Sequence, residues 1–523
     1  MEPALGPVGI LPRGESTARA GPFTRRLLPD LGLAGAIFTL FYCVFVYEGY
    51  WKLFRDSDTG WHIRNGESIL STARLPRSDP YSFTRPGARW YAWEWGSDVT
   101  MALAHRADGL RGVALLYLIA IAACTWLWFR LHWRAGGDFL LACAFAAPML
   151  STVNLHWLAR PHVFGWMMLL IAVLAAERAP DSARPWYLAR VAAFTALWAN
   201  LHASFFLAPL IALAYAAHHI VRPLLWEVDA ACERLRARSF ALMALAAAAG
   251  SLANPYGIRL HEHVARYLTD SELLSRVGEF QSFNFHAEGA GQILLMIGLA
   301  AVGGVLALGQ RNVARFLLCI ALLAMAMRSA RALPVAALVL LPLANGAIAT
   351  ALARARAVRP RVRGFLDSWM NYSINLRRID ATLGGLALAP VAVLIAALCL
   401  RAPGIWSRTG FPPERFPVAA ADEIARLPVE ARLLAPDSFG GYLIYRFAEN
   451  RKVFFDGRSD FYGLAFMKNY ISLVQARPGW REQAHAFGFT HALLPPDYTL
   501  AAALERDGWR RLYADKTAVL LQR

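Results

Sequence analysis

The stretch Asp56-Ser57-Asp58-Thr59-Gly60-Trp61-His62 follows directly after the first apolar segment of the chain. It brings two carboxylates, a tryptophan and a histidine together. Because residues i and i+2 of an extended segment point to the same side, we expect Asp56 and Asp58 to face one site. There they would act as metal ligands or as a base with a partner carboxylate. A plain turn that caps the next helix explains the same residues, so the surrounding sequence must decide.

The composition of the whole chain is that of a membrane protein. Of its 523 residues, 57% are hydrophobic and only 17% are charged, and the mean hydropathy is +0.35. Soluble proteins carry about a quarter charged residues. We predict a polytopic α-helical membrane domain of about eleven spans followed by a polar tail. The predicted spans are 31–50, 110–131, 138–155, 161–177, 187–200, 203–221, 239–254, 290–309, 312–328, 331–350 and 381–401.

Cysteine usage and charge argue against several classes of protein. Five of the six cysteines lie in apolar spans and no C-x-x-C pair occurs, so neither a disulfide framework nor a thiol metal site is indicated. The net charge is +17, but no Lys/Arg run carries the interleaved aromatic residues of a nucleic-acid reader. We therefore expect no nucleic-acid partner. The first 30 residues lack a signal-peptide cleavage pattern, which indicates an uncleaved first helix.

The arginines predict an orientation for the chain. If the spans alternate, the arginine-rich loops all fall on the side of the N-terminus, which the positive-inside rule places in the cytoplasm. We predict a cytoplasmic segment at 1–30, a transmembrane domain at 31–401 with a first outer loop at 51–108, and an extracytoplasmic domain at 402–523. The loop 351–380 also carries aromatic residues typical of a segment that lies on an anionic leaflet.

Polar side chains suited to chemistry gather on the predicted outer side. They are Asp56, Asp58, His62, Glu94, Asp98, His156, Arg160, His162, Asn200, His202, Asn254, Tyr256, Glu279, Arg328 and Arg331. Imidazoles, an amide and a guanidinium stand in short loops where ordinary turn residues would serve. We therefore predict one outward-facing site rather than scattered solvated residues.

The tail at 402–523 alternates apolar strands with amphipathic stretches and predicts a small α/β domain. The predicted strands are 432–435, 452–455, 491–494 and 518–521, and the predicted helices lie near 416–428, 439–448, 461–476, 479–487 and 499–506. The segment Asp456-Gly457-Arg458-Ser459-Asp460 follows a predicted strand, where sites of α/β proteins usually lie. A surface turn with an Asp–Arg pair explains that segment equally well.

Several motifs together resemble a known superfamily. The first outer loop carries D-x-D-x-x-W-H at 56–62, Asp79-Pro80-Tyr81-Ser82-Phe83 and Trp93-Glu94-Trp95, and the later motifs are Asn254–Gly257, Glu279–Ser282, Gly440–Ile444 and Asp456–Arg458. With about ten further helices and the external domain, the chain resembles the GT-C superfamily of integral-membrane glycosyltransferases. Within it, the chain is similar to bacterial inner-membrane proteins. A weaker similarity links Asp437–Ile444 to oligosaccharyltransferase catalytic subunits, without their two tryptophans.

The resemblance implies an inverting glycosyltransferase of the bacterial cytoplasmic membrane. Such an enzyme transfers a sugar from a polyprenyl-phosphate-linked donor to a glycan, lipid or protein acceptor on the outer side. The superfamily implies that Asp56 is the base, and that Asp58 and Glu94 hold the acceptor or a divalent cation. Mg²⁺ or Mn²⁺ suits such oxygen ligands, with Asp56 and Asp58 binding it. A zinc site at His156, His162 and His202 is the alternative.

The donor phosphate needs cations near the membrane surface. Arginine offers bidentate geometry to phosphate, although an arginine at a helix end also snorkels without any ligand. We predict that the phosphate is bound by Arg160, His162, Arg328 and Arg331. The residues predicted to line the acceptor side are Trp61, His62, His202, Asn254, Tyr256, Glu279, Asp456 and Arg458.

Two other classes remain open. A secondary transporter places ionisable residues in mid-membrane, whereas the centres of the predicted spans here are nearly free of charge. A non-catalytic scaffold of an envelope assembly is the other alternative.

Overall fold

The computed structural model describes residues 22–355 and 358–523, so most of the predicted N-terminal segment 1–30 lies outside the described residues. The helices up to the middle of the chain are α1 Pro22–Leu27, α2 Leu31–Phe45, α3 Gly49–Lys52, α4 Asp58–Thr72, α5 Trp95–Arg134, α6 Phe139–Val153, α7 His162–Ala176, α8 Pro185–Leu201, α9 Leu207–Leu225 and α10 Ala230–Ser251. They are followed by α11 Ile258–Thr269, α12 Ser271–Leu274, α13 Ala290–Gly309, α14 Val313–Arg328, α15 Leu333–Arg354, α16 Pro360–Thr382 and α17 Leu388–Cys399.

A helix lies over each of the eleven predicted spans. Within the described residues, five helical stretches are long and apolar enough to cross a membrane: Trp95–Arg134, Phe139–His156, Ala203–Leu225, Ala290–Gly309 and Ala330–Arg354. Three shorter apolar helices, α2, α7 and α17, accompany them. The chain therefore has the helical membrane architecture that its composition predicts, whereas the number of eleven crossings remains a prediction.

Helix α15 lies at the centre of the bundle. Its residues from Ala336 to Ala347 are all buried, and it contacts α5, α6, α13 and α14. A helix that is apolar on every face is stable only when other elements surround it. This central position places the first turn of α15 at the end of the bundle where the polar residues meet.

The first loop, residues 46–94 between α2 and α5, is more helical than expected. It contains α4, and α5 already begins at Trp95. The predicted outer loop 51–108 therefore ends in a helix that runs on into the apolar span. A kink at Asp108 and Gly109 separates the two parts, and the φ of +57° at Gly109 favours a residue without a side chain. The predicted span 110–131 starts just beyond this kink.

The C-terminal domain carries a four-stranded sheet in the order β1-β2-β4-β3. The strands are β1 Leu433–Leu434, β2 His491–Leu494, β3 Arg510–Ala514 and β4 Val519–Gln522, and β1 pairs parallel to β2 while the other pairs are antiparallel. The helices are α18 Pro403–Trp406, α19 Ala421–Ala425, α20 Asp437–Phe447, α21 Ser459–Val474, α22 Trp480–Phe487 and α23 Thr499–Arg506. The small sheet domain predicted from the tail is thus present.

One strand prediction in this domain was wrong, and one strand of the sheet was not predicted. The segment 452–455 does not join the sheet, because Val453 bridges instead to Ser82 of the first loop and its neighbours are buried there. Strand β3 was not predicted, because Arg510 to Ala514 form an edge strand whose side chains are exposed or half-buried. Both differences arise from contacts with other segments of the chain, which a local pattern does not predict.

Close glycine contacts join the C-terminal domain to the first loop. A Cβ added to Gly60 of α4 would lie 2.1 Å from the carbonyl oxygen of Gly441 in α20, and one added to Gly441 would lie 2.1 Å from the carbonyl oxygen of Ser57. Real Cβ atoms do not approach backbone this closely. The two helices therefore meet only because both positions lack side chains.

We expect Gly60→Ala to lower the free energy of unfolding by about 1–3 kcal/mol, the usual effect of overpacking. The clash with α20 must outweigh the gain of up to about 1 kcal/mol that alanine brings to a helix. Gly298→Ala is the matched control, since Gly298 lies in α13 with no atom within 4 Å of the added Cβ. Thermal unfolding of both variants in detergent measures the difference, and equal midpoints would contradict the close packing of α4 on α20.

Candidate active site between the helical bundle and the C-terminal domain

The segment Asp56-Ser57-Asp58 forms a turn and not the extended segment that we expected. Ser57 has helical backbone angles (φ −65°, ψ −26°), and Asp58 is the first residue of α4. Asp56 Oδ1 accepts a hydrogen bond from the backbone N–H of Asp58 at 2.9 Å. Asp56 thus satisfies an amide at the start of the helix, as the turn interpretation proposed, while its second oxygen remains available to the site.

Three carboxylates converge on the guanidinium of Arg160. Arg160 Nη1 lies 2.8 Å from Asp56 Oδ2 and 2.7 Å from Glu279 Oε1, and Nη2 lies 2.8 Å from Asp58 Oδ2. Glu279 Oε2 in turn accepts from Arg331 Nη1 at 3.1 Å. These five side chains are called the carboxylate–arginine cluster below. The structure therefore brings together Asp56, Asp58, Arg160, Glu279 and Arg331 from four distant parts of the sequence.

Backbone contacts hold Arg160 beside α4. Residues 157–159, between α6 and α7, are buried, and the N–H of Ala159 donates to the carbonyl of Leu53 at 2.8 Å. The carbonyl of Ala159 accepts from the hydroxyl of Thr59 at 3.0 Å. These two bonds clamp the residue before Arg160 to the first loop on both sides of the Asp56 turn.

A second set of bonds positions Glu279 and Arg331. The hydroxyl of Ser329 donates to the carbonyl of Glu279 at 3.1 Å, and the N–H of Ala330 donates to the carbonyl of Gln281 at 2.8 Å. The segment that follows α12 is thereby fixed to the turn between α14 and α15. Both members of the Glu279–Arg331 pair consequently reach the same pocket.

The cluster lines a pocket of about 400 Å³ whose opposite wall is the C-terminal domain. That wall contains Asp437, Ser438, Gly457, Ser459 and Arg415. Sequence reasoning did not select Asp437, Ser438 or Arg415, nor Arg55 and Tyr267 on the bundle side. The motif at 437–444 was a signal for the first two, whereas nothing in the local sequence marks the three others.

The charges of the cluster nearly balance. Three carboxylates and two guanidiniums leave one negative charge when every group is ionised. Burial raises the pKa of Asp58 to about 7, against the attraction of Arg160. For Glu279, burial is outweighed by Arg160 and Arg331, which hold its pKa below the usual range. The cluster thus contains a carboxyl group that gains or loses a proton near neutral pH.

A second polar cluster lies behind the pocket. His62 Nδ1 is 2.6 Å from Asp98 Oδ1, and Asn65 Nδ2 donates to Asp98 Oδ2 at 2.5 Å. Glu94 lies 3.9 Å from His62 Nε2 and 3.4 Å from His202 Nε2. Burial lowers the pKa of His62 to about 3 and raises that of Glu94, so burial disfavours the charged form of both groups.

The predicted residues of this second cluster do not line the pocket. Glu94, His62 and His202 lie near the carboxylate–arginine cluster but outside its cavity, and Trp61 is buried with its ring stacked on His62 at 3.6 Å between centroids. Their predicted contact with an acceptor therefore stays a prediction. The observed contacts of His62 hold the first turns of α4 against α5.

The remaining predicted residues lie elsewhere. Arg328 is exposed and outside the pocket, and His162 is buried with Nε2 2.8 Å from the carbonyl of His156. Asn254 shapes a turn by accepting from the N–H of Tyr256 at 2.8 Å. Asp456 pairs with Arg458 at 2.7 Å, and Arg458 also reaches Asp79 of the first loop at 2.9 Å. The last pair is fully buried and joins the domain to the bundle, contrary to the surface-turn interpretation.

The carboxylates of Asp56 and Asp58 have the oxygen ligands that Mg²⁺ and Mn²⁺ prefer, but the guanidinium of Arg160 stands between them. Within residues 22–355 and 358–523, no group of three or more His, Cys, Asp or Glu side chains is arranged to hold a metal ion. The three histidines of the alternative zinc site are not gathered around one point either. His202 contacts Glu94, whereas His156 and His162 lie next to each other. A divalent cation at Asp56 and Asp58 stays a prediction.

No protein-family model matches the chain, and no curated protein matches it. Solved structures, in contrast, do match the chain. The apo oligosaccharyltransferase of Archaeoglobus fulgidus aligns with a TM-score of 0.52 at 11% identity, over 88% of this chain and 69% of that one. AglB of the same organism, in complex with an inhibitory peptide and a dolichol-phosphate, aligns at 0.50 and 12%, over 89% and 69%.

The chain has an oligosaccharyltransferase-like fold. A third structure, apo ArnT from Cupriavidus metallidurans, covers 93% of this chain and 98% of that one at 13% identity, with a TM-score of 0.47 that is too low to support an argument. The expected architecture of a polytopic helical domain followed by a small sheet domain is confirmed in outline, and membership of the GT-C superfamily stays a prediction. At these identities the likeness concerns the fold alone, and the motif-level resemblance stays a prediction.

Proposed function

We propose that the protein is a membrane glycosyltransferase that uses a polyprenyl-phosphate-linked sugar. The observation that carries this proposal is the convergence of Asp56, Asp58 and Glu279 on the buried Arg160, in a pocket between a helical membrane domain and a second domain. Two solved structures that share the fold are named oligosaccharyltransferases, and one of them holds a dolichol-phosphate. A transporter or scaffold does not require carboxylates and cations together at such a domain interface.

The proposed reaction is a single displacement with inversion at the anomeric carbon. The acceptor nucleophile forms a bond to C1 of the sugar while the bond from C1 to the phosphate oxygen breaks, and the electron pair leaves with the polyprenyl phosphate. The proton of the acceptor passes to a carboxylate. Asp56 is the better base, because its side chain is 20% exposed to the pocket, whereas that of Asp58 is 9% exposed and covered by Gly457.

Asp58, with a pKa near 7, assists this role. Its carboxyl group shares Arg160 with Asp56, so proton gain at one carboxyl group strengthens the hold of the guanidinium on the other. Arg160 thereby keeps Asp56 oriented towards the acceptor. This is a positioning role for Arg160, achieved by a fixed charge in a partly dry pocket.

The leaving phosphate requires guanidinium N–H groups that carboxylates do not already occupy. Arg331 is paired only with Glu279, and Arg55 and Arg415 line the same pocket with no carboxylate within 4.0 Å among the described residues. Guanidinium groups bind phosphate with bidentate geometry. We propose that Arg331, Arg55 and Arg415 bind the phosphate, while Arg160 serves the carboxylates. The acceptor is a glycan, lipid or protein on the outer side of a bacterial cytoplasmic membrane.

Binding of polyprenyl phosphate to the purified protein tests this proposal, with the unphosphorylated polyprenol as control and native mass spectrometry as the measurement. We expect the phosphate to bind and the alcohol to bind much more weakly. Arg331→Ala should weaken phosphate binding by about 10- to 100-fold, the loss of one charge-assisted hydrogen bond. Arg276→Ala, an exposed arginine paired with Glu272 outside the pocket, should leave binding unchanged.

Equal binding of the phosphate and the alcohol would overturn the lipid-phosphate donor. Arg328→Ala tests whether the phosphate binds inside or outside the pocket, since Arg328 was predicted to bind phosphate but lies outside the pocket. A loss with Arg328→Ala and none with Arg331→Ala would move the phosphate site away from the carboxylate–arginine cluster.

A further inference from the structure

A second, larger concavity lies on the far side of the first loop. Two adjoining cavities of about 960 Å³ and about 490 Å³ have four lining residues in common, namely Arg89, Trp90, Tyr91 and Arg259. The larger cavity runs along the end of α4 to Arg74 and Arg77, and the smaller one runs along α11 to Arg266. Together they form one continuous depression, called the arginine groove below.

The arginine groove carries an excess of uncompensated positive charge. Five arginines line it against two carboxylates, Glu262 and Asp460, and Asp460 is already bound to His263 at 3.0 Å. Among the described residues, no carboxylate lies within 4.0 Å of Arg74, Arg77, Arg89, Arg259 or Arg266. Two exposed arginines of the C-terminal domain, by contrast, are paired, Arg481 with Asp507 and Arg511 with Glu505. A concave surface that gathers one sign of charge attracts a ligand of the other sign.

The lining also indicates the kind of ligand. Tyr91 and Tyr256 meet edge to face at 5.1 Å between ring centroids and offer half-buried aromatic surface with polar tips. The only large aliphatic side chain in the lining is Leu75, so the groove lacks the continuous apolar surface that acyl chains require. Aromatic faces interleaved with guanidinium groups fit a chain of sugar rings that carries anionic groups.

One thin wall separates the groove from the candidate active site. His263 and Asp460 face the groove, while Tyr267 and Ser459 face the pocket of the carboxylate–arginine cluster and bond to each other at 2.9 Å. His263 and Tyr267 are one turn apart on α11, and Ser459 and Asp460 are consecutive. A long ligand in the groove would therefore have one end beside the pocket.

We propose that the arginine groove binds an anionic glycan, a chain of sugars that carries carboxylate or phosphate groups. This binding site rests on the proposed function in one respect: the glycan is the acceptor whose end lies beside the pocket. The binding itself requires no sugar transfer, so the two proposals fail separately.

Fluorescence anisotropy of a labelled oligogalacturonate of about eight residues tests the proposal. The probe is titrated with the purified full-length protein in neutral detergent, and a neutral oligosaccharide of equal length is the control. We expect saturable binding of the uronate only, weakened by added salt because the contacts are exposed. R89A/R259A should bind about tenfold more weakly, since each exposed ionic contact contributes a factor of a few.

The double variant R481A/R511A is the matched control, because it removes two exposed arginines of the C-terminal domain that lie outside the groove. Its affinity should equal that of the unchanged protein. The proposal is overturned if the unchanged protein shows no saturable binding, if the neutral chain binds equally well, or if both double variants behave alike. It is also overturned if nanodiscs of phosphatidylglycerol abolish the binding that nanodiscs of phosphatidylcholine retain, since the groove would then hold lipid headgroups.

Discussion

Asp56→Asn is expected to lower the rate of sugar transfer by about 100- to 10,000-fold, the contribution of a positioned base. The amide retains the oxygen that accepts from the N–H of Asp58, so the turn at the start of α4 persists. It loses the negative charge that faces Arg160 and the ability to take the acceptor's proton. The measurement is the release of polyprenyl phosphate from a polyprenyl-phosphate-linked hexose, followed by mass spectrometry in membranes that contain the acceptor.

The matched control is Asp108→Asn. Asp108 is also paired with arginines, Arg111 and Arg401, but it lies at the kink of α5 and does not line the pocket. Its substitution should leave the transfer rate near that of the unchanged protein. Full turnover by Asp56→Asn at normal expression would exclude Asp56 as the base and would leave Asp58 as the carboxylate to examine.

The second large effect is expected from Arg160→Met. Methionine fills much of the space of the arginine side chain but leaves Asp56, Asp58 and Glu279 facing one another without their common cation. Breaking a buried ion pair by removing one partner typically costs about 3–5 kcal/mol. We expect a loss of that order in the free energy of unfolding, seen as a large fall in the thermal midpoint in detergent, together with loss of transfer.

Two further variants show whether charge is the reason. Arg331→Met removes an arginine whose one ion-pair partner among the described residues is Glu279 and which is 28% exposed, so its effect on stability should be about 1 kcal/mol or less. Adding Asp58→Asn to Arg160→Met removes one of the three facing carboxylates and should restore part of the lost stability. If the double variant is no more stable than Arg160→Met alone, loss of packing and not repulsion explains the effect.

Local sequence was sufficient for the apolar helices and for the presence of the second domain. Every predicted span is helical, and β2 occupies the predicted residues 491–494, because hydrophobic runs and periodicity are properties of neighbouring residues. The same reasoning failed where the partner of a segment lies far along the chain. Val453 pairs with Ser82, 371 positions away, and no local pattern reports such a contact.

The sequence by itself determined the apolar helices, the polar tail and the presence of Asp56, Asp58, Arg160 and Glu279 among the residues suited to chemistry. Only the tertiary structure decided that these four side chains meet, and that Glu94, His62 and His202 form a separate cluster behind them. The physical reason is that the charge of a side chain follows from its residue type, whereas an ion pair also requires a short distance between two side chains. The clamp on Ala159, the close approach of Gly60 to Gly441 and the turn before α15 set those distances, and each joins segments that are remote in the chain.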